Sequence, residues 1–453
     1  MSLPERRPFK TIAGAIISAV YVVAFLTTAL AQTTPTDPGP RGGAAGAGGR
    51  IAGLTVKESK FFDTGLDEFQ EIQTVLEGPD SEEGLGPRFN LNSCAGCHAH
   101  PAAGGSSPAI NPQTSETVAP LSQISALINL QIISPSGPVR EVRFVSDGGV
   151  HDLFTIAGLP GTPAACNIAQ PDFAGHLQEL RFRIPTPLFG DGLIEAIEDA
   201  AILANEAAVK PFGIGGRANR NGNDGTVTRF GWKAQNKSLV IFSGEAYNVE
   251  QGITNELFPD ERGENGSPDP AACRRVVNAP QDAVKYDVTQ PQGVPDNVSS
   301  FANYMRFLAA PTPVSSYGHV TSQQIELGRS AFTKSGCEAC HKRSMTTGFH
   351  VNAALSNKTV NLYSDLLVHD IGTGDGIAQG LADGSQFRTA PLWGVGQRLF
   401  FLHDGRAANL VEAIDAHAGE ADQVIRNYRG TGDAAHNLTS EERQNLMYFL
   451  RSL

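Results

Sequence analysis

Two copies of the sequence Cys-x-x-Cys-His, one in each half of the chain, constrain this protein more than any other feature. They are Cys94-Ala-Gly-Cys97-His98 and Cys337-Glu-Ala-Cys340-His341. The spacing is that of c-type haem attachment, in which both thiols add across vinyl groups of the porphyrin and the following histidine binds the iron. A redox-active thiol pair or a zinc site is the alternative, although a thiol pair has no need of the histidine. The sequence therefore predicts two covalently attached c-type haems that exchange electrons.

The N-terminus has the features of an export signal, which fits because haem is attached outside the cytoplasm. Three basic residues precede an apolar run at residues 12–30, and Ala29-Leu30-Ala31 then provides the small residues of a cleavage site. We therefore predict a signal peptide at residues 1–31 and a periplasmic or otherwise exported protein with no later membrane span. A retained membrane anchor is the alternative, because the run approaches the length that crosses a bilayer.

Composition and charge limit the fold and the partners. The 49 glycines and 28 prolines, with only 7% aromatic residues, favour short helices joined by long irregular loops. About 420 residues after the signal suggest two domains. The net charge of −12 argues against a nucleic-acid partner. It suits attraction of a basic electron donor such as a small cytochrome c, or it serves only solubility.

The local patterns predict a mainly α fold with two cytochrome c-like haem domains and long loops. Helices are expected at residues 60–76, 301–308, 322–332 and 439–453, the last capped at Ser440. Alternating residues at 139–145 and 179–184 predict short strands in a small β-containing insertion at 131–182, while residues 33–49 read as a flexible leader. The predicted divisions are a flexible linker at 32–50, an N-terminal haem domain with the insertion at 51–300, and a C-terminal haem domain at 301–453.

A weak internal repeat supports two related halves. Arg183-Ile-Pro-Thr-Pro-Leu-Phe-Gly-Asp-Gly192 resembles Arg388-Thr-Ala-Pro-Leu-Trp-Gly-Val-Gly396, and each segment lies downstream of a Cys-x-x-Cys-His motif. Duplication of one cytochrome unit explains this likeness. Two unrelated turns that share proline and glycine are the alternative.

Five further segments form an ordered set with the two motifs. They are Asn90-Leu-Asn-Ser-Cys-Ala-Gly-Cys-His98, Leu366-Leu-Val-His-Asp-Ile-Gly372, Phe387-Arg-Thr-Ala-Pro-Leu-Trp393, Phe401-Leu-His-Asp-Gly-Arg-Ala-Ala-Asn-Leu410 and His417-Ala-Gly-Glu-Ala421. This set resembles the bacterial di-haem cytochrome c peroxidase superfamily, and more closely its branch of di-haem oxidoreductases, sometimes labelled thiol oxidoreductase-like. The superfamily also contains the methylamine-utilisation enzyme that oxidises tryptophans in a partner protein. The resemblance covers nearly all of the chain after Ile51 and implies two cytochrome c-like domains with haems close enough to exchange electrons.

The resemblance also implies ligands for the second iron. In the peroxidases an axial Met lies fourteen residues after the His of the His-Asp-Gly motif, and the corresponding residue after His403 is His417. His417 would give the second haem two imidazole ligands and a lower potential than a His/Met haem. His403 is the competing ligand, and a surface position is the alternative for His417.

At the first haem the resemblance implies an acid and a bridging aromatic side chain. Tyr247-Asn-Val-Glu-Gln-Gly252 is similar to the family segment whose acid assists cleavage of peroxide, which places Glu250 in that role. An ordinary surface carboxylate is the alternative, and Glu195, Glu198 and Glu256 are further candidates. Phe230-Gly-Trp-Lys-Ala234 resembles the segment with the aromatic residue between the haems, for which Trp232 or Phe230 is the candidate.

Two departures from the family pattern change what the resemblance implies. The peroxidases have a distal histidine that caps the first iron, and position 114 here is Thr. The first haem is therefore expected to be open without reductive activation. The family sequence Thr-x-Pro, which helps to hold a bridging calcium, is replaced by Arg398-Leu-Phe400, which puts bound calcium in doubt.

Two arginines and two cysteines complete the candidate residues. Arg183 and Arg388 suit haem propionates, because a guanidinium binds a carboxylate through two hydrogen bonds; surface ion pairs are the alternative. Cys166 and Cys273 are the remaining thiols, and in an oxidising compartment they are expected to pair, or else to be buried free cysteines.

The predicted function is that of a di-haem oxidoreductase similar to the peroxidases. Electrons from a small redox protein enter at the C-terminal haem, and a peroxide or similar small oxidant is reduced at the N-terminal haem with help from Glu250. A non-enzymatic electron carrier and an oxidase of a protein or organic substrate are the alternatives.

Overall fold

The computed structural model describes residues 1, 34–75, 84–260, 273 and 297–453 of the chain. The predicted signal peptide lies outside these residues apart from Met1. Residues Pro35–Leu453 form one compact unit. Within the described ranges, no helix combines the length and apolar character needed to cross a bilayer.

Helices provide most of the regular structure of the described residues. They are α1 (Val56–Gln70), α2 (Cys94–Cys97), α3 (Leu121–Asn129), α4 (Asp191–Glu195), α5 (Asp199–Ala207), α6 (Leu239–Gln251), α7 (Asn297–Phe307), α8 (Ser322–Ser335), α9 (Leu410–Asp415), α10 (Asp422–Arg429) and α11 (Ser440–Ser452). Capping boxes set the start of α1, α8 and α11, where the side chains of Thr55, Thr321 and Thr439 accept hydrogen bonds from the third residue of each helix. The cap of α11 is therefore Thr439, one residue before the predicted Ser440.

Short antiparallel strands form small sheets between the helices. They are β1 (Arg88–Phe89), β2 (Glu141–Phe144), β3 (Val150–His151), β4 (Phe154–Thr155), β5 (Leu180–Arg183), β6 (Met345–Thr346), β7 (Thr359–Val360), β8 (Val368–Asp370) and β9 (Gln386–Arg388). The strands predicted at 139–145 and 179–184 are β2 and β5. With β3 they form a three-stranded sheet of order β3-β2-β5, in which Glu141 lies opposite Arg183.

Each half of the fold contains a close helix pair with a glycine at the crossing. Helix α1 packs against α7, and α8 packs against α11. A Cβ atom on Gly65 of α1 would lie 2.1 Å from the Ser300 oxygen of α7, and one on Gly328 of α8 would lie 1.9 Å from the Asn445 oxygen of α11. Only glycine therefore allows the two backbones to approach so closely.

Helix α7 crosses the predicted domain boundary. The boundary between residues 300 and 301 falls inside α7, and α7 packs against α1 and α6 of the N-terminal half. The division into two haem domains accordingly stays a prediction.

The described part of the predicted flexible leader is held by specific contacts. Asp37 forms a buried ion pair with Arg451 of α11, with 2.7 Å between Oδ2 and Nη2. The Arg41 amide donates to the Gly396 carbonyl at 2.8 Å, and the Ala309 amide donates to the Gly49 carbonyl at 2.9 Å. The low-complexity composition predicted flexibility, but these tertiary contacts fix residues that have little preference of their own.

A disulfide joins Cys166 to Cys273, as the sequence predicted, and closes a separation of 107 residues. Cys273 is buried. A cross-link of this kind stabilises the fold chiefly by restricting the unfolded chain, and the effect grows with the length of the loop.

Replacing both cysteines by serine (Cys166→Ser/Cys273→Ser) should lower the free energy of unfolding by about 4–5 kcal/mol, because the unfolded chain gains the freedom of an open loop. Denaturant unfolding of the variant and of the native protein, with and without reductant, measures the difference. A variant as stable as the unreduced native protein would contradict the assignment.

Candidate functional site

The first Cys-x-x-Cys-His motif presents its side chains to a cavity in the N-terminal half. Cys94, Cys97 and His98 all line this cavity, and the short helix α2 places both thiols on one turn. The His98 Nδ1 lies 3.1 Å from the Gly105 carbonyl oxygen and donates to it, which leaves Nε2 as the acceptor. Burial lowers the pKa of His98 to about 4. The imidazole is therefore neutral, as an iron ligand must be.

The second motif repeats this arrangement at a second cavity. Cys337, Cys340 and His341 line it. The His341 Nδ1 donates to the Tyr363 carbonyl oxygen at 3.0 Å. Burial and the neighbouring His417 lower the pKa of His341 to about 4. Both motif histidines thus have a fixed tautomer whose Nε2 is available for a metal.

The pKa values of the motif thiols favour haem attachment over a redox-active thiol pair. Burial raises the pKa of Cys94 to about 12 and that of Cys337 to about 11. A redox-active thiol pair needs the opposite shift, because the thiolate is the reactive form. Within the described ranges, no three histidine, cysteine or acidic side chains converge as a metal site.

His417 lies in the second cavity together with His341. Its Nδ1 donates to the Ala413 carbonyl oxygen of α9 at 2.8 Å, so its Nε2 is also available. Burial lowers its pKa and keeps it neutral. His403 lines the same cavity, but its ring stacks on that of Phe387 with 3.9 Å between centroids. His341 and His417 therefore share one cavity, while His403 packs against Phe387.

Two buried arginines in the second cavity have unpaired nitrogen atoms. Among the described residues, nothing accepts a hydrogen bond from Nη1 of Arg388 or from Nε and Nη2 of Arg398. Burial lowers the pKa of Arg398 to about 10. A buried guanidinium without an anion is costly, and the two carboxylates of a haem would supply the missing partners. Arg398, which the sequence marked only as a departure from a calcium motif, is thus a haem-binding candidate.

Arg183 forms an ion pair, whereas the Nε of Arg388 donates to the Gly231 carbonyl oxygen at 3.1 Å. Arg183 lines the first cavity, but its Nη2 forms a 2.6 Å ion pair with Asp375 and its Nη1 donates to Gln379 at 2.5 Å. Lys233 pairs with the other oxygen of Asp375 at 3.1 Å. Although the two repeats are similar in sequence, Arg183 is therefore less available than Arg388 to bind a propionate.

Glu250 lies at the C-terminal end of α6 and lines the first cavity with His98. Burial and the nearby Glu141 raise the pKa of Glu250 well above its ordinary value and so favour its protonated form. Asn90 donates to its Oε2 at 3.4 Å. The described lining of this cavity does not include the other candidate acids, Glu195, Glu198 and Glu256.

Glu141 and Arg143 of β2 also line the first cavity, and neither was singled out from the sequence. The alternation along β2 turns these two residues toward the cavity, while Val142 and Phe144 pack into the core. The Arg143 Nε donates to Glu141 at 2.8 Å. The pattern of alternation was visible in the sequence, but the identity of the face that meets the cavity was not.

Trp232 lines both cavities. Among the aromatic residues in the described linings, it is the only one that the two cavities share. Its Nε1 donates to the Ile184 carbonyl oxygen at 2.8 Å, which fixes the indole. Phe230, the other candidate for this position, is buried in the core against Phe242. The structure therefore places Trp232, and not Phe230, between the two motifs.

The position of the missing distal histidine is occupied by a short turn. Thr114 ends a 3-10 helix, Pro112–Thr114, and the neighbouring Gln113 lines the cavity. The Gln113 side chain is engaged by backbone groups, since its Nε2 donates to the carbonyls of Asn90 and Arg140. Within the described lining, His98 is the only histidine of this cavity.

A charged network lies beside Cys340. His369 donates through Nε2 to Asp365 and through Nδ1 to Glu420, each at 3.0 Å. Lys210 pairs with the same Asp365 oxygen at 2.6 Å. These carboxylates overcome burial and raise the pKa of His369 to about 11, so the buried imidazole is a cation at neutral pH. The network balances its two positive and two negative charges, and it gives the Leu366–Gly372 segment a structural part.

A family model described as "Di-haem oxidoreductase, putative peroxidase" matches residues 172–453, a range that contains the second motif, Trp232 and Glu250. No curated protein matches the chain at a significant level. Among solved structures, hydrazine synthase of Kuenenia stuttgartiensis is 13% identical over 97% of this chain and 100% of that chain, with a TM-score of 0.36. The di-haem peroxidase BthA of Burkholderia thailandensis is 13% identical over 93% and 95%, with a TM-score of 0.36. A MauG-like protein associated with microbial copper homeostasis is 16% identical over 59% and 90%, with a TM-score of 0.30.

Replacing His417 by glycine should change the spectrum of the haem in the second cavity from low-spin to high-spin, because the imidazole opposite His341 is removed. Electron paramagnetic resonance and visible absorption of the oxidised holoprotein measure the change. The matched variant His403→Gly distinguishes the competing ligand. A high-spin change in that variant, with none in His417→Gly, would reverse the assignment.

Proposed function

The chain belongs to the di-haem oxidoreductase family, and from this premise we propose that it is an exported, peroxidase-like enzyme with two c-type haems. Electrons from a small redox protein enter at the cavity of His341 and His417. They pass to the cavity of His98, where hydrogen peroxide or a similar small oxidant is reduced. The acidic net charge of −12 supports a basic donor such as a small cytochrome c.

The asymmetry of the two cavities carries this proposal. The second cavity offers a second neutral imidazole, His417, beside the motif histidine. The described lining of the first cavity offers no second histidine and instead contains a buried carboxyl with a raised pKa, Glu250. Two imidazole ligands suit electron transfer, whereas an open position beside an acid suits the binding and cleavage of a small oxidant.

The residues of both cavities fit the haem that the family implies. The two motifs supply thiols and neutral imidazoles, and Arg388 and Arg398 supply unpaired donors for propionates. When bound, the haem iron supplies a site for peroxide and a route for electrons to it. The chain holds each imidazole in one tautomer through a main-chain carbonyl, so the ligands need no reorganisation.

Glu250 has the protonation state that its role requires. A peroxide oxygen leaves more readily as water than as hydroxide, so a positioned acid lowers the barrier to cleavage of the oxygen–oxygen bond. Burial and the neighbouring Glu141 raise the pKa of Glu250 and favour its protonated form. The acid form therefore persists to a higher pH than in an ordinary glutamate, and it is lost as the pH rises through that raised pKa.

Trp232 provides the link between the cavities. Its indole contributes to the wall of both, and the carbonyl oxygen of the same residue accepts a 2.8 Å hydrogen bond from the amide of Arg388, itself a residue of the second cavity. A fixed aromatic side chain that spans the separation shortens the distance an electron must cross between the two sites.

Replacing Glu250 by glutamine should lower the rate of peroxide reduction by about 10²–10⁴-fold, because the isosteric amide cannot donate the proton. Stopped-flow mixing of the reduced holoprotein with hydrogen peroxide measures this rate. Glu256→Gln, an exposed carboxylate close in sequence, is the matched control and should react as the native protein does. An unimpaired Glu250→Gln variant would remove the role.

Replacing Trp232 by phenylalanine should slow the peroxide-driven oxidation of the second haem, because the shorter side chain leaves a gap between the cavities. The same stopped-flow traces, read at wavelengths that distinguish the two haems, measure it. Trp393→Phe is the control, since the chain has only two tryptophans and Trp393 is outside the described lining of both cavities. Equal effects of the two substitutions would argue against a bridging role.

The native holoprotein itself decides between an enzyme and an electron carrier. With a reduced donor present, an enzyme consumes peroxide catalytically, and the spectrum of the first haem changes when peroxide is added. A carrier with both irons six-coordinate shows low-spin signals alone and no response to peroxide, which would overturn the proposal.

A further inference from the structure

The β-containing insertion brings a second carboxyl group to the acid of the first cavity. Glu141 of β2 and Glu250 of α6 are far apart in sequence, but both line the cavity with His98. The two carboxyl groups are close enough that each affects the pKa of the other. Two neighbouring carboxylates repel each other, so the pair favours a state in which one of the two is protonated.

The two carboxyl groups have different neighbours, which suits them to different roles. The Arg143 Nε lies 2.8 Å from Glu141, and Arg183 is the residue opposite Glu141 across the β2–β5 ladder. Among the described residues, no cation forms an ion pair with Glu250, although the charge of Arg143 also acts on it. The Glu250 side chain accepts from the neutral amide of Asn90. Asn90 also donates to Asp152 at 3.3 Å, which adds a negative charge behind Glu250.

We propose that Glu141 is a second catalytic residue, the base that takes a proton from peroxide, while Glu250 is the acid that gives one. The inference rests on the proposed function and deepens it. Two titratable groups whose environments separate their protonation states are the recurring form of an acid–base pair. Here the base comes from the insertion and the acid from the helical core.

The charges that face the pair support this division. Burial opposes ionisation of Glu141, but Arg143 and Arg183 outweigh it and hold the pKa of Glu141 below its ordinary value. Glu245, which lines the same cavity, and Glu250 both act on Arg143 and keep it a cation. For Glu250, burial, Glu141 and Asp152 all favour the neutral acid.

The step balances in atoms and charge. One hydrogen of HOOH moves as a proton to Glu141, and the oxygen–oxygen bond breaks. The departing OH takes the proton of Glu250 and leaves as water. The other oxygen becomes the second water with two electrons from the reduced donor protein and two protons, one from Glu141 and one from solvent. A further proton from solvent restores Glu250, so HOOH, two electrons and two protons give two waters.

Cyanide tests the division of roles without turnover. HCN binds iron as the anion, so its proton goes either to a base in the cavity or to solvent. With Glu141 as the base, the cyanide Kd of the oxidised holoprotein should be independent of pH near neutrality, because no proton is released. In Glu141→Gln the proton goes to solvent, and the Kd should fall about tenfold per unit rise in pH.

Glu250→Gln provides the matched comparison, since it leaves Glu141 in place and should keep the flat cyanide profile. Equal profiles in the two variants, or a pH-dependent profile only in Glu250→Gln, would overturn the inference. Both substitutions should lower kcat/KM for peroxide by about 10²-fold or more. Glu179→Gln, a half-buried glutamate that directly precedes β5 of the same sheet and is outside the described lining of the cavity, should match the native protein in both measurements.

Two further comparisons keep the result unambiguous. Glu141→Gln leaves Arg143 without its carboxylate, so Glu141→Gln/Arg143→Gln removes both charges and should show the same tenfold pH dependence of cyanide binding. A native protein that fails to reduce peroxide but shows the predicted cyanide contrast would refute the proposed function alone. A native protein that reduces peroxide but lacks the contrast would refute the role of Glu141 alone.

Discussion

A hydrogen bond from an imidazole Nδ1 to a main-chain carbonyl oxygen recurs at His98, His341 and His417, and the organisation of the site depends on it. The acceptors are the carbonyls of Gly105, Tyr363 and Ala413. Each bond fixes one tautomer and leaves Nε2 free, while burial keeps the ring neutral. The loops and helix ends that carry these carbonyls must therefore be placed accurately, which the glycine-mediated helix pairs α1–α7 and α8–α11 achieve.

The two halves share this device but surround it with different chemistry. The second cavity is largely apolar, with a second imidazole and two arginines that each keep unpaired nitrogen atoms. The first cavity collects carboxyl groups, amides and arginines from β2, β5 and α6. A neutral imidazole pair stabilises an iron in electron transfer, while a protonated carboxyl can act only on something that binds beside it. The two Cys-x-x-Cys-His motifs thus lie in cavities of different chemical character.

Buried charge is balanced locally throughout the region between the cavities. Asp375 joins Arg183 and Lys233, and Asp365 joins Lys210 and His369. Such networks are costly to bury and are tolerated when every member is paired. Arg388 and Arg398 are the contrast, because they line the second cavity with unpaired nitrogens and, among the described residues, form no ion pair. An anion bound in that cavity would supply their missing partners.

The sequence by itself determined the two attachment motifs, most of the long helices, the strands of the insertion, the disulfide and the family, because these depend on short-range spacing and residue type. Thr439 shows the limit even here, since the cap lies one residue from its predicted place. Only the tertiary structure decided that Trp232 rather than Phe230 lines both cavities. It also decided that Arg183 forms an ion pair while Arg398 forms none among the described residues. Finally, it brought Glu141 and Glu250 to the same cavity. Residues 34–49 make the same point, because their composition predicts flexibility and their order comes from contacts with distant segments. The physical reason is that pairing, burial and pKa depend on neighbours brought together from remote parts of the chain, which no local pattern encodes.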